Sequence, residues 1–185
     1  HAYRVPREIM ELAMPLLEQI APDVEPPIAY RVGADRPRVA LAEDALAAAY
    51  EEAARLASEE GLLAVIAPPS LRGDGVASLF DETRIAVLTP REAKGMEFDH
   101  VIAVEPAQIV EEAVEGQGLR GLYVALTRPT TTLVLVHARP LPPELGLQRQ
   151  ASTHGKNQIP QIVARVRQAG RHLGSYQGRR PYRIE

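Results

Sequence analysis

The sequence predicts an α/β fold, a mostly parallel sheet with helices on both faces. Two observations predict it. The runs Leu62–Ala67 and Val101–Val104 are unbroken and apolar, and they end at Pro68-Pro69 and Glu105-Pro106. Strands buried on both faces read this way. Segments of helical periodicity separate such runs, and that alternation builds a parallel sheet.

Pro6 to Ile20 reads as a helix. Pro6 suits a first turn, and Ile9, Leu12, Ala13, Leu16, Leu17 and Ile20 form one apolar stripe. Pro15 falls inside it and predicts a kink. Val39 to Ala42 reads as a short strand. Glu43 to Glu60 is rich in Ala, Leu and Glu, has acids in its first turn and meets Gly61 as a stop, so it reads as a second helix. Leu62–Ala67, Arg84–Leu88, Val101–Val104 and Thr132–His137 read as strands, with a helix from Gly118 to Arg128 between the last two. In such sheets ligands bind beyond the carboxyl ends of the strands. The charged stretch Arg91–Glu97 follows the strand Arg84–Leu88, so it is expected there. GDGVAS, Gly73 to Ser78, is a poor echo of a dinucleotide fingerprint. It lies several residues beyond its strand and lacks a third glycine at the required spacing.

At 185 residues and 45% hydrophobic content, the chain is long enough for one cored domain and an appendage. It has no cysteine, which excludes disulfides, thiolate chemistry and cysteine-based metal sites. His1, His100, His137, His154 and His172 are scattered without metal-ligand spacing, so no metal site is expected. No apolar run approaches the ~18 residues of a membrane span, and the start HAYRVPREIM has no apolar leader core. The expectation is a cytoplasmic protein without membrane contact. The sequence begins without methionine and inside a motif, as expected of a piece of a longer chain.

Charge divides the chain in two. Residues 148–185 hold eight Arg or Lys against Glu185 alone, a balance of +7, so residues 1–147 carry −10 of the total −3. The division predicts a body, 1–147, and a basic tail, 148–185. In the tail Ile159, Ile162, Val163, Val166 and Leu173 approximate the stripe of one amphipathic helix, with Arg165, Arg167 and Arg171 around it. Such a helix either packs on the acidic body or contacts nucleic acid or an acidic partner.

Three stretches carry candidate chemistry: AYRVPREI (Ala2–Ile9), LTPREAKGMEFDHVI (Leu88–Ile102) and GLRGLYVALTRPTTTLVLVHA (Gly118–Ala138). Singly, each has a plain structural explanation. Tyr3-Arg4 fits a solvated helix entry. Lys94 and Glu97 fit a surface ion pair worth less than ~1 kcal/mol. Arg128 fits a helix C-terminal cap.

Together and in this order they resemble the fourth, fifth and sixth motifs of UvrD/Rep-type superfamily 1 helicases. AKGMEFD resembles the fifth, and LYVALTRPTTTLVLV, a tyrosine-valine-x-x-threonine-arginine helix with its following strand, resembles the sixth. The resemblance covers about residues 1–140. EAKGMEFDHVIAVEP and RPLPPEL look most like the HelD branch, motor proteins associated with RNA polymerase.

The resemblance implies the second RecA-like domain (2A) of such a motor, with the RecA-like P-loop NTPase fold. It implies ATP with Mg²⁺ as cofactor, bound against an N-terminal RecA-like domain that supplies the P-loop and the Mg²⁺ ligands. No G-x-x-x-x-G-K-[ST] occurs in these 185 residues, so alone they are expected to be inactive. DNA is the implied polymer and RNA polymerase a further implied partner. Tyr3 would stack on adenine. Arg4 and Arg128 would reach the γ-phosphate and neutralise charge in the transition state. Glu97 would accept hydrogen bonds from the ribose, and Gly95 would let the backbone turn near the ligand. Thr89, Arg91 and Lys94 would face the nucleic acid, with Phe98 anchoring the loop in the core. Arg91 stands where DNA-translocating relatives commonly carry histidine, Pro129 replaces a commoner alanine, and Ala2 replaces the usual asparagine before the tyrosine. The other function class is a non-catalytic RecA-like module that binds RNA polymerase or another protein.

Overall fold

The computed structural model describes residues 5–25, 36–73 and 85–147. Within them the chain forms α1 (Arg7–Ile20), β1 (Arg38–Leu41), α2 (Ala45–Leu56), β2 (Leu63–Ile66), β3 (Ala86–Leu88), β4 (Phe98–Val104), α3 (Pro106–Glu111), α4 (Gly118–Leu126) and β5 (Pro129–His137). A helical turn at Pro69–Leu71 and a 3-10 turn at Pro143–Leu145 complete it. The strands form one five-stranded sheet in the order β1-β5-β4-β2-β3, and every pairing is parallel.

Alternation along the central strands sorts their side chains onto two faces. Ala64 and Ile66 of β2, Val101 and Ala103 of β4, and Leu133 and Leu135 of β5 pack with α1, α3 and α4. Leu63 and Val65, Ile102 and Val104, and Val134 and Val136 pack with α2 on the other face. Ile102, Val104, Val134 and Val136 are fully buried. Helices thus cover both faces, which is why these strands read as unbroken apolar runs.

Local chemistry sets the element ends. The Asp44 carboxylate accepts hydrogen bonds from Leu46 N at 2.9 Å and Ala47 N at 3.0 Å, so α2 starts after Asp44, with no acid inside its first turn. This corrects the expected span Glu43–Glu60, and Gly61 is not the stop. Gly61, at φ +120, forms the turn into β2. A Cβ there would stand 2.6 Å from the Asp99 side chain, so both backbone and space require glycine. Pro15 lies within α1 without ending it.

β4 begins at Phe98 rather than Val101 and β5 at Pro129 rather than Thr132. Proline is tolerated at a strand's first residue. α4 ends at Leu126, two residues short of the expected Arg128. α3 was not expected. Arg38 of edge strand β1 grips Glu52 of α2 with two bonds of 2.9 and 2.7 Å, and Arg55 adds a third at 3.1 Å. Burial raises the Glu52 pKa, but the bonds and charges of Arg38 and Arg55 more than offset it and hold it below the ordinary value. Among the described residues, no helix is long and apolar enough to cross a membrane.

Candidate functional site

β3 and β4 are parallel and β2 lies between them. The connection 89–97 therefore leaves the carboxyl edge of the sheet and returns to its amino edge. Leu88 is level with Ile66, and Ile66 with Ala103. Five residues separate Ala103 from Phe98, so the connection runs back about 16 Å at ~3.3 Å per residue. Ala93, fully buried, anchors it against the α1/α4 face. The charged stretch does not all lie beyond the carboxyl ends. Only its beginning does, because a connection between parallel strands must cross from one edge to the other.

At the carboxyl edge Thr89 and Glu92 form a reciprocal turn. Thr89 N and Oγ1 donate to Glu92 Oε2 at 2.8 and 3.0 Å, and Glu92 N donates to Thr89 Oγ1 at 3.3 Å. This is the capping-box arrangement. Arg72, from the turn after β2, reaches the other Glu92 oxygen at 3.3 Å. The Thr89 amide, then the Thr89 hydroxyl and Arg72, hold the Glu92 pKa below its ordinary value against a burial effect that raises it. The Thr89 hydroxyl is thus engaged inside the turn, while Arg91 and Lys94 are exposed. Behind them Ser70 N and Oγ donate to Glu112 at 3.0 and 2.6 Å. The buried Glu105, at φ 49, receives Ala138 N at 2.8 Å.

At the amino edge the segments AKGMEFD and LYVALTRP meet. Gly95 takes φ +85, open to glycine and strained for other residues. The chain then turns through exposed Met96 and Glu97 into buried Phe98. Arg128 follows α4 and is half-buried. Its Nε donates to Val124 O at 3.1 Å, one Nη to Met96 O at 3.0 Å and the other to Thr127 Oγ1 at 3.4 Å. Its own carbonyl accepts Phe98 N at 3.1 Å. Burial holds the Arg128 pKa below the usual arginine range, and the Glu97 carboxylate and Tyr123 oppose it. Burial pushes the Tyr123 pKa up, with Arg128 opposing.

The structure therefore brings Gly95, Glu97 and Arg128 together and holds Thr89 and Arg91 at the opposite edge. Tyr3 and Arg4, and the whole tail 148–185, lie outside the described residues. Sequence reasoning missed Met96, whose carbonyl receives Arg128, and Tyr123, which flanks it. A cleft of about 530 Å³ between the end of α1 and segment 110–120 is lined by Ile20, Val110, Val114 and Leu119, among others, and by none of the candidate residues. Among the described residues no group of three or more His, Asp or Glu could hold a metal ion.

Comparisons with known proteins bear on the fold. No family model matches the chain, and no curated protein does. Among solved structures it is similar to the C-terminal domain of a possible DNA helicase from Lactobacillus plantarum WCFS1. The two share 21% identity over 78% of this chain and 92% of that one, with a TM-score of 0.58. The all-parallel sheet covered on both faces is accordingly an α/β fold of the RecA-like kind.

Proposed function

We propose that this chain is the second RecA-like domain of an ATP-dependent DNA helicase or translocase. It closes an ATP site whose P-loop lies in another domain, and it couples hydrolysis to movement of a nucleic acid or of RNA polymerase. The observation that carries this reading is the meeting of Glu97 and Arg128 at the amino ends of β4 and β5. A half-buried guanidinium beside an exposed carboxylate can approach a triphosphate and its ribose together. Among the described residues one Arg128 nitrogen donates to Thr127 Oγ1 at 3.4 Å, a long contact that it can exchange for a phosphate oxygen at little loss. Bound ATP with Mg²⁺ would supply the scissile anhydride and a metal that offsets its negative charge. Glu97 and Arg128 of this chain, with Tyr3 and Arg4, would bind and orient the nucleotide from the second side.

The connection 89–97 supports the coupling. One segment runs from Thr89 and Arg91 through Lys94 to the nucleotide-facing edge, so displacement at Glu97 has a short covalent route to the other edge. Arg91 offers a strong, slowly released phosphate contact, or a protein contact, and the −10 body is a poor nucleic-acid surface by itself. Both features favour a polymerase-associated motor over a stand-alone unwinding enzyme. The complete protein is expected to hydrolyse ATP, unwind forked DNA weakly and co-purify with RNA polymerase. Processive unwinding of a forked duplex without polymerase association would leave a conventional DNA helicase instead.

A second reading, a non-catalytic protein-binding module, is favoured by one observation. The Val124 and Met96 carbonyls already hold Arg128, as a purely structural helix cap would be held.

A further inference from the structure

The amino edge contains a register irregularity beside Arg128. Phe98 of β4 pairs with Pro129 of β5, yet His100, two residues on, pairs with Thr132, three residues on. The extra residue is therefore in β5, at Thr130–Thr131, with Pro129 alone between it and Arg128. Such a bulge bends its strand and re-aims neighbouring side chains, and bulges recur beside active sites.

Asp99 sits opposite this bulge. Its Oδ1 accepts the Thr130 hydroxyl at 3.3 Å, and its Oδ2 accepts Leu62 N at 2.8 Å. Its own amide and that of His100 both donate to Leu62 O at 3.0 Å. The turn before β2 lies so close that only Gly61 fits against the Asp99 side chain. His100 Nε2 lies 3.0 Å from Glu60 O and ties the same turn to β4. Asp99 thus fastens the starts of β2, β4 and β5 to one another. It does so between the two segments that carry Glu97 and Arg128.

We infer that Asp99 is a positioning residue: by pinning the β5 bulge through Thr130 it fixes the direction in which Arg128 leaves the sheet. This rests on the reading of Arg128 as the group that reaches the nucleotide. Asp99 itself touches none of the reacting atoms. Its effect comes through Arg128, whose backbone carbonyl is already tied to Phe98 N. A misplacement of about 1 Å in such a group can cost on the order of 10²-fold in rate.

The test is steady-state ATP turnover by the complete motor protein. Asp99→Ala should lower kcat about tenfold and leave KM for ATP within about twofold. Asp99→Asn should restore kcat, because the amide keeps an acceptor for Leu62 N and turns a donor to the Thr130 hydroxyl. In an Arg128→Ala background Asp99→Ala should cost nothing further. If Asp99→Ala fails to fold, Thr130→Val removes only the hydroxyl and should lower kcat in the same way, with Thr130→Ser restoring it. If Arg128→Ala alone leaves kcat unchanged, the reading of Arg128 fails. If Arg128→Ala lowers kcat but the Asp99 and Thr130 variants do not, or their losses persist in the Arg128→Ala background, Asp99 does not position Arg128.

Discussion

Arg128→Ala is expected to lower kcat for ATP by about 10²-fold or more in the complete protein, with the domain still folded. The guanidinium is half-buried and its strongest bonds run to two neutral carbonyls, Val124 O and Met96 O. A cation kept partly desolvated, with neutral acceptors on one side and Glu97 near it, interacts more strongly with negative charge than one in open water. Charge that develops on a phosphoryl group in the transition state would meet it at that strength. Removing the side chain also frees the Val124 and Met96 carbonyls. Water reaches this edge, since Met96 is 44% exposed, so that loss should stay near 1 kcal/mol. Activity and stability should therefore separate: a large fall in kcat and a small fall in Tm. Normal turnover with a markedly lowered Tm would make Arg128 a helix cap and favour the non-catalytic module.

Ile102→Ala should have the largest effect on stability, about 3 kcal/mol within the 2–5 typical of such truncations. Ile102 is fully buried. It is 0% accessible, lies in the strand flanked by β2 and β5, and packs in the cluster formed with α2. The facing residues are largely alanine, namely Ala45, Ala48, Ala49 and Ala53 of α2. Small side chains on a helix cannot swing in to refill the space, so a cavity should remain. Leu62→Ala is the control. Leu62 is 63% exposed, and its loss should fall within about 0.5 kcal/mol. Chemical denaturation of the three proteins measures both differences. Equal effects would contradict the two-faced packing of the sheet.

Much of this fold is legible in the residues. Ala64, Val65 and Ile66, or Val101 to Val104, announce themselves because both faces of each strand are apolar. Phe98-Asp99-His100 did not read as strand, since its polar members look like loop chemistry. Asp99 is spent on Leu62 N and Thr130, and His100 on Glu60 O. Those partners are 30 to 40 positions away in sequence, where no local pattern can show them. Glu43 and Asp44 looked like the first turn of a helix, but a carboxylate that caps from outside and one inside the turn carry the same composition signal.

The candidate site was legible as a set of residues and not as a place. AKGMEFD and LTRP gave Gly95, Glu97 and Arg128, which the structure brings to one edge. The sequence order also suggested that everything after β3 lies beyond the carboxyl ends. Parallel pairing of β3 and β4 on either side of β2 overrides that: it carries Glu97 back to the amino edge. Only three-dimensional register reveals this, as it reveals the bulge at Thr130–Thr131.

The most direct test is ATP turnover measured on the purified 185-residue chain alone and on the complete protein. With no P-loop among these residues, the chain alone should turn over no ATP, and the complete protein should do so in an Arg128-dependent way. Turnover by the chain alone, free of contaminating ATPase, or a complete protein that never hydrolyses ATP, would contradict its assignment as the second half of a motor.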